Sequence, residues 1–366
     1  MGSIEPRHLV CEPLERSRNL AAAFYGDAQI ADLERSAIFA SAWQLVGHSS
    51  QVTAPGDYFT TTIGKVPLII CRDDDGVVRG FHNVCRHRGG PVACNSGSVE
   101  HFRCQYHGWR YSLNGQLLEA TDFGEAEHFV TDRVHLRSIA IHEWRGLLFA
   151  HPGQTAMSPE IPKALESLLS DGHPLETYRF ARSKTYRLDC NWKIYVDNYL
   201  EGYHVPELHP GLNAQLVFNE YTAQVFDECS VQHSPLQCTI TRGGAATGSA
   251  VYIHLFPNQM LNCLPGRLQT NRIVPVTTSS CDVIFDYYYA DDVTEEDRKA
   301  DQDSAHQTQL EDQDICAIVQ RNMESGAYIS GRLSPKWEEA LWAFQNWYRE
   351  RVGAALPRQA ETKDER

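Results

Sequence analysis

Hydrophobic and polar positions follow two different periods in the first 152 residues of this 366-residue chain. Between residues 28 and 43 apolar side chains recur at helical intervals, as at Ile30, Leu33 and Ile38, which predicts a helix. Beyond Trp43 the pattern changes to short β-rich runs separated by turn residues, which predicts a small antiparallel β domain. The predicted strands are Tyr58–Ile63, Pro67–Arg72, Val77–His82 and Gly146–Ala150.

The second half of the chain mixes longer helical runs with strands. A Pro- and Gly-containing connection with a short helical run at Ile161–Ser170 leads into it. Helical character is predicted for Leu188–Leu208, Thr294–Met323 and Pro335–Val352, and strands for Ser249–Phe256 and Cys281–Ala290. The pattern predicts an α+β protein with an N-terminal helical segment at 1–42, a β domain at 43–152 and a larger domain at 153–366. A polar, frayed tail is predicted at 358–366.

Composition narrows the range of partners and compartments. The formal net charge of −14 argues against nucleic acid or an anionic membrane surface as a partner. The N-terminus lacks the apolar core of a signal peptide, and no apolar run approaches the roughly 20 residues that span a bilayer. Eleven scattered cysteines, an odd number, do not form the pattern of a disulfide framework. We therefore expect a protein of the reducing cytoplasm.

Two short Cys/His motifs are the first candidate metal site. Cys85 and His87 are separated by one residue, and after sixteen intervening residues Cys104 and His107 are separated by two. Thiolate and imidazole ligands select zinc or iron–sulfur chemistry over calcium or magnesium. A tetrahedral zinc ion is the alternative, but zinc motifs usually leave two or more residues between the first pair. Cys-Arg-His-Arg-Gly followed by Cys-Gln-Tyr-His-Gly-Trp resembles the Rieske [2Fe–2S] signature, in which two Cys and two His hold one cluster.

Such a cluster relays single electrons, so a second site must carry out substrate chemistry. Asn191-Trp192-Lys193 opens a predicted helix that carries Glu201 and His204, and His209 follows. Five residues on a continuous helix would separate the two histidines by about 140°. Pro206 disfavours a continuous helix and lets His209 turn back towards His204. With one carboxylate they would form the two-His-one-carboxylate site of non-haem Fe(II) oxygenases. The alternative is that both are ordinary core or surface histidines.

The two motifs together resemble the catalytic subunit of Rieske non-haem iron oxygenases. The resemblance covers residues 20–350 and implies a Rieske β domain followed by a helix-grip, START-like catalytic domain. Asn-Trp-Lys, then Asp-Asn-Tyr-Leu-Glu-Gly-Tyr-His and His-Pro, matches the iron-site pattern of the family, which makes His204 and His209 the expected ligands. The third ligand is expected at Asp312 by its offset from Val319-Gln320, with Asp314 as the alternative.

The resemblance also implies partners. In many ring-dihydroxylating members an Asp three residues before the first His ligand links neighbouring subunits of a homotrimer, and here that position holds Glu201. Members that act on quaternary ammonium compounds resemble this chain in having Glu there, and the segment at 320–333 is also similar. The alternative for Glu201 is a solvated helix carboxylate. A separate flavin and iron–sulfur reductase that uses NAD(P)H is implied as electron donor. The cluster loops carry four arginines that could dock an acidic partner, could be solvated, or could form hydrogen bonds across the trimer interface: Arg86, Arg88, Arg103 and Arg110.

The expected function is therefore an O2-dependent oxygenase that hydroxylates or N-dealkylates a quaternary ammonium substrate. A cation cage could use Phe285, Tyr287 and Tyr289, which share one face of a predicted strand, although core packing explains them equally well. The main alternative is a ring-hydroxylating oxygenase for an aromatic acid, whose cavity should contain a cationic partner for the carboxylate. A non-catalytic zinc-binding protein and a stand-alone electron-transfer protein are alternatives from other classes.

Overall fold

A computed structural model describes residues 5–153, 158–159, 161–170, 172–237, 239–241, 244–246 and 248–356. The tail predicted at 358–366 lies outside these residues. The first helix, α1 (Ala28–Glu34), starts where the Asp27 carboxylate accepts hydrogen bonds from the backbone N–H groups of Gln29 and Ile30. A π-helical turn, Arg35–Phe39, follows it. The helix thus ends before Trp43, earlier than the periodicity predicts.

The β-rich part of the chain has ten strands. They are β1 (Gln44–His48), β2 (Asp57–Ile63), β3 (Val66–Arg72), β4 (Val78–His82), β5 (Ser96–Ser98), β6 (Phe102–Arg103), β7 (Arg110–Tyr111), β8 (Leu117–Glu119), β9 (Ser138–Trp144) and β10 (Leu147–His151). Seven form an antiparallel sheet in the order β1-β10-β9-β4-β3-β2-β5, and β6-β7-β8 form a small second sheet. All four strands predicted here are confirmed within one residue or so at each end.

The larger C-terminal part is built on a second seven-stranded antiparallel sheet, ordered β11-β19-β18-β17-β16-β13-β12. The strands are β11 (Arg179–Leu188), β12 (Thr222–Phe226), β13 (Cys229–Pro235), β14 (Thr239–Thr241), β15 (Gly244–Ala246), β16 (Ser249–Leu255), β17 (Gln259–Leu264), β18 (Arg267–Thr277) and β19 (Ser280–Tyr289). The helices are α2 (Lys163–Ser170), α3 (Trp192–Tyr199), α4 (Val205–Leu208), α5 (Pro210–Asn213), α6 (Glu295–Glu324) and α7 (Glu339–Ala355). The long helix α6 contacts α3 and β11, and the predicted α+β class is confirmed.

The helix predicted over Leu188–Leu208 is divided, and the division precedes the proline. α3 ends at Tyr199, and α4 begins at Val205 with Pro206 in its first turn, where a missing N–H costs nothing. Gly202 lies in the intervening turn, and a Cβ there would come 2.5 Å from the Tyr221 ring. Close packing of this turn against Tyr221 therefore accompanies the break, and Pro206 serves as a helix start.

The two parts of the chain share one hydrophobic cluster. Leu45 and Phe149 of the first sheet pack in it together with Ile253, Leu261 and Tyr288 of the second. The side-chain amide of Gln259 reinforces the junction by donating from Nε2 to the backbone carbonyl of Trp43 at 2.8 Å. Among the described residues, no helix is long and apolar enough to span a bilayer.

Candidate metal centres

His204, His209 and Asp312 meet at one point beside α6. One ligand atom from each lies within 4.8 Å of the others, and no second group this compact occurs among the described residues. The turn between α3 and α4 supplies His204, the end of α4 supplies His209, and α6 supplies Asp312. Asp314, two residues on and about 200° round the helix, is exposed to solvent. Of the two aspartates that the sequence left open, Asp312 is therefore the one brought to the histidines.

Carboxylates hold the two imidazoles by their Nδ1 atoms. His204 Nδ1 lies 2.6 Å from Glu201 Oε1, and His209 Nδ1 lies 2.7 Å from Glu311 Oε2. Each Nδ1–H group donates to a carboxylate in this arrangement, which leaves the Nε2 lone pairs for a metal. These Nε2 atoms lie 4.0 Å and 2.9 Å from Asp312 Oδ1. Two neutral imidazoles and one carboxylate on one side of a site fit a non-haem Fe(II) ion with open positions.

Two of these partners were not singled out from the sequence. Asn198 donates from Nδ2 to Asp312 Oδ1 at 2.6 Å, and Glu311 orients His209. Glu311 could have been found, since it is adjacent to Asp312, whereas Asn198 requires the packing of α3 against α6. Burial lowers the pKa of His209, but the hydrogen bonds and charges of Asp312 and Glu311 outweigh burial and raise it above its ordinary value. A bound cation would favour the neutral imidazole instead.

The Asn191-Trp192-Lys193 motif fixes the start of α3. The Asn191 side chain caps the helix by accepting from the backbone N–H of Lys193 at 3.0 Å. The indole N–H of Trp192 donates to Glu34 Oε2 at 2.9 Å, and Lys193 Nζ donates to Glu34 Oε1 at 2.5 Å. Tyr348 OH donates to the same carboxylate at 2.6 Å. The motif is thus an anchor in the protein interior, which holds the helix that leads to His204.

A cavity of about 140 Å³ adjoins the three candidate ligands. Five aromatic residues line it: Tyr195, Tyr199, Tyr221, Tyr252 and Phe285. Of the aromatic face predicted on β19, only Phe285 lines this cavity. Tyr287 is buried in the core, and Tyr289 OH donates to Asp301 Oδ2 at 2.8 Å. A cation cage built from the three residues of that strand is therefore wrong, although the cavity itself is aromatic.

The other candidate centre lies between two loops of the first part of the chain. Cys85 and His87 follow β4, while Cys104 and His107 lie between β6 and β7. The rings of His87 and His107 are 4.6 Å apart, and His87 also stacks on Trp109 at 4.8 Å. Cys85 and Cys104 are buried, and burial raises the pKa of the Cys85 thiol. His107 is exposed, so this end of the site faces solvent.

The geometry of these four residues fits a two-iron cluster. His87 Nδ1 is buried without a hydrogen-bond partner, as a nitrogen reserved for a metal would be. Gly90 allows close approach to the sulfur, since a Cβ there would lie 3.1 Å from Cys104 Sγ. Ligands of a single ion must lie close together. Among the described residues only His204, His209 and Asp312 have ligand atoms within 4.8 Å of one another, and the four Cys and His residues of this centre do not. A tetrahedral zinc site is therefore the poorer fit.

Comparison with known families matches both parts of the chain. Residues 42–130 match the Rieske [2Fe–2S] domain, and residues 175–354 match the catalytic domain of the ring-hydroxylating alpha subunit. The combination defines a two-centre oxygenase component that uses O2 and electrons from a reductase. The chain belongs to the Rieske non-haem iron oxygenases, and its cofactors are the [2Fe–2S] cluster and the mononuclear iron of that family.

The relatives of this chain include choline and carnitine monooxygenases. Choline monooxygenase, chloroplastic, of Arabidopsis thaliana is 33% identical over 343 residues, which cover 87% of this chain and 80% of the relative. The carnitine monooxygenase oxygenase subunit of Escherichia coli (strain K12) is 27% identical over 332 residues, which cover 88% of each chain. A solved quaternary ammonium Rieske monooxygenase has the same fold, with a TM-score of 0.87 at 24% identity over 94% of this chain and 98% of the other. Naphthalene 1,2-dioxygenase from Rhodococcus sp. matches with a TM-score of 0.76 at 21% identity, over 92% and 95% of the two chains.

Proposed function

We propose that this protein oxidises a quaternary ammonium compound, by hydroxylation or oxidative N-dealkylation. We assign the mononuclear iron to His204, His209 and Asp312, and the cluster to Cys85, His87, Cys104 and His107. The meeting of His204, His209 and Asp312 beside a cavity lined by five aromatic rings carries this proposal. Aromatic faces attract a methylated ammonium group, which cannot donate hydrogen bonds. The choline and carnitine monooxygenases among the relatives support the same substrate class.

The two iron centres, when bound, supply electron relay and O2 activation. The residues of this chain orient the metal ligands and the substrate, and they exclude water from the cavity. Glu201 and Glu311 hold the two imidazoles in the tautomer that presents Nε2. Asn198 holds the Asp312 carboxylate, and the rings around the cavity hold the substrate cation beside it. By holding the substrate beside the candidate iron ligands and excluding water, these residues would limit side reactions.

We further propose that Glu201 is the link between subunits of a homotrimer. Its side chain is 13% exposed and borders two cavities, one with the candidate ligands and one of about 570 Å³ on the other side of α3. A carboxylate that binds His204 on one side and faces open space on the other could accept a hydrogen bond from a neighbouring subunit. The solvated-carboxylate alternative fits less well, because Glu201 also accepts from the backbone N–H of His204 at 3.1 Å.

The electron donor that we propose is a separate flavin and iron–sulfur reductase. Arg86, Arg88 and Arg103 are exposed around the candidate cluster in a chain of net charge −14 and would attract an acidic partner. Arg110 contributes less, because it is ion-paired with Glu119. We also propose a cytoplasmic location, which agrees with the free thiols of all ten cysteines that the structure describes.

An aromatic acid remains a second candidate substrate class because of one residue. Arg267 lines the cavity and is the cationic partner that a carboxylate would need. A panel of trimethylammonium compounds and benzoates, assayed for product and O2 uptake with a surrogate reductase, separates the two candidates. We expect turnover of one or more trimethylammonium compounds. Turnover of a benzoate, without turnover of any trimethylammonium compound, would overturn the proposed substrate class.

A further inference from the structure

Arg267 stands at one end of the cavity beside an acidic partner. It begins β18, and its side chain is 23% exposed. Of the cavity-lining residues that the structure describes, it is the one lysine or arginine. Its Nη1 atom is ion-paired with Asp301 Oδ1 on α6, and Tyr289 OH donates to the other oxygen of that carboxylate. The Asp301 carboxylate therefore lies directly beside the guanidinium of Arg267.

The ion pair leaves donors of Arg267 available. A guanidinium has five N–H groups in a planar fork, and the contact with Asp301 uses Nη1. The remaining N–H groups have no hydrogen-bond partner among the described residues. A planar fork held on one side by a carboxylate suits a second carboxylate on its free side, because both oxygens can accept at once.

Helix α6 sets the distance between this guanidinium and the candidate iron ligands. Asp301, the partner of Arg267, precedes Asp312 by eleven residues, which is about 16 Å along the helix axis. Between them the same helix lines the cavity with Ser304, Ala305 and Thr308. The acidic lining groups Glu201 and Asp312 therefore lie at one end of the cavity, and the guanidinium lies near the other. The two ends of the cavity therefore carry charges of opposite sign.

We propose that Arg267 binds the carboxylate of the substrate. The substrate would then be a trimethylammonium carboxylate whose two charged groups are separated by several carbons. Its cation would lie among the aromatic rings near Glu201 and Asp312, and its anion would bind the fork of Arg267. Such a zwitterion carries no net charge and matches the neutral Arg267–Asp301 pair, whereas choline would leave the free N–H groups of Arg267 unpaired. This inference rests on the proposed quaternary ammonium activity.

The test compares two ligands of the iron-loaded protein that differ in the carboxylate. γ-Butyrobetaine has a three-carbon spacer and a carboxylate, and n-butyltrimethylammonium lacks the carboxylate. In anaerobic calorimetry the Kd of γ-butyrobetaine should be at least about 30-fold lower than that of n-butyltrimethylammonium. This is the ratio expected for a buried charged hydrogen bond. Glycine betaine, with one carbon between its charges, should bind more weakly than γ-butyrobetaine because it cannot reach both ends.

The variant is the double substitution Arg267→Gln/Asp301→Asn, because removing Arg267 alone would leave Asp301 buried and unpaired. It should remove the preference for γ-butyrobetaine and raise its KM about 30-fold or more. The matched control, Arg272→Gln/Asp286→Asn, removes an ion pair between β18 and β19 that does not line the cavity, and it should keep the preference. Equal Kd values for the two ligands in the unsubstituted protein, or an unchanged preference in the double variant, would overturn the role of Arg267. If the unsubstituted protein turns over no trimethylammonium compound at all, the proposed function itself is overturned.

Discussion

The imidazole of His204 donates from Nδ1 to the carboxylate of Glu201 at 2.6 Å, while its Nε2 atom faces Asp312. One histidine thereby connects a candidate iron site with a carboxylate that borders a second cavity. The contact depends on the turn between α3 and α4, since Glu201 and His204 both lie outside α3. A helix continued through this segment would have directed His209 away from the site.

Glu201→Gln should retain both metal centres and lose most product formation. The amide keeps the shape but cannot act as a charged acceptor for His204 Nδ1–H. Loss of a carboxylate behind a ligand histidine lowers metal affinity by about 10–100-fold, so iron should be added in excess. Single-turnover kinetics should show slow reoxidation of the reduced cluster. Glu207→Gln, an exposed carboxylate on α4, is the control, and equal activity of both variants would return Glu201 to a solvated role.

Substitution of the two candidate aspartates separates a ligand from a surface residue. Asp312→Asn should lose the mononuclear iron and all turnover, because it removes the carboxylate that meets both imidazoles. Asp314→Asn should retain both, since Asp314 is exposed on another side of α6. Iron analysis together with the visible spectrum measures the outcome, since the cluster absorption should persist in both variants. Iron loss in the Asp314 variant alone would contradict the assignment.

Tyr111→Phe should lower the reduction potential of the cluster. Tyr111 OH lies 3.2 Å from Cys85 Sγ, and its oxygen already accepts from the backbone N–H of Arg86 at 3.0 Å. Its proton is therefore available to the sulfur, where it stabilises the extra negative charge of the reduced state. The expected shift is on the order of 20–60 mV, from a net hydrogen bond of about 1 kcal/mol. Spectroelectrochemistry measures it, and Tyr106→Phe, at an exposed tyrosine, should show no such shift.

Lys193→Met should destabilise the fold by about 3–5 kcal/mol, because it leaves the buried Glu34 carboxylate without its cation. Urea unfolding measures the loss. The double variant Lys193→Met/Glu34→Gln should recover part of it, since neither charge then remains buried. Lys299→Met, which breaks a solvent-exposed ion pair with Asp303, should leave the free energy of unfolding nearly unchanged. A similar small cost at Lys193 would show that the anchor contributes little.

Protonation of the buried Asp197 should make the free energy of unfolding depend on pH. Burial raises the pKa of Asp197 to about 7, although hydrogen bonds from Tyr25 and Gln345 oppose this rise. The folded state therefore binds this proton more tightly than the unfolded chain, and the stabilisation is lost as the pH rises from about 4 through 7. Each pKa unit corresponds to about 1.4 kcal/mol. The free energy of unfolding of the wild type minus that of Asp197→Asn should fall over this range, and a constant difference would contradict the prediction.

Six of the seven candidate ligands could be proposed from the sequence because they occur in short local motifs. The two Cys/His motifs and the pair His204 and His209 each lie within a few residues of one another. The long helix α6 begins within one residue of its predicted start at Thr294, whose side chain caps the helix by accepting from the backbone N–H of Asp297 at 3.1 Å. Strands such as β17 and β18 were missed, since they are buried on parts of both faces and lack clean alternation.

Contacts distant in sequence could not be predicted. Asn198 meets Asp312 across 114 residues, and Arg267 meets Asp301 only because β18 and α6 line the same cavity. The division of the predicted helix before Pro206 also depended on tertiary packing, through the close approach of Gly202 to Tyr221. A pattern of residue types shows which chemistry is possible, whereas the spacing between elements decides which groups meet.

The hydrophobic cluster that joins the two sheets has a consequence for engineering. Leu45 and Phe149 pack against Ile253 and Tyr288, so neither half of the chain has a complete interior alone. A Rieske domain taken from a relative to alter the redox properties would have to reproduce this contact surface as well as its own cluster loops. Chimaeras joined at the connection near residue 153 should therefore fail to fold unless both faces of the junction are transferred together.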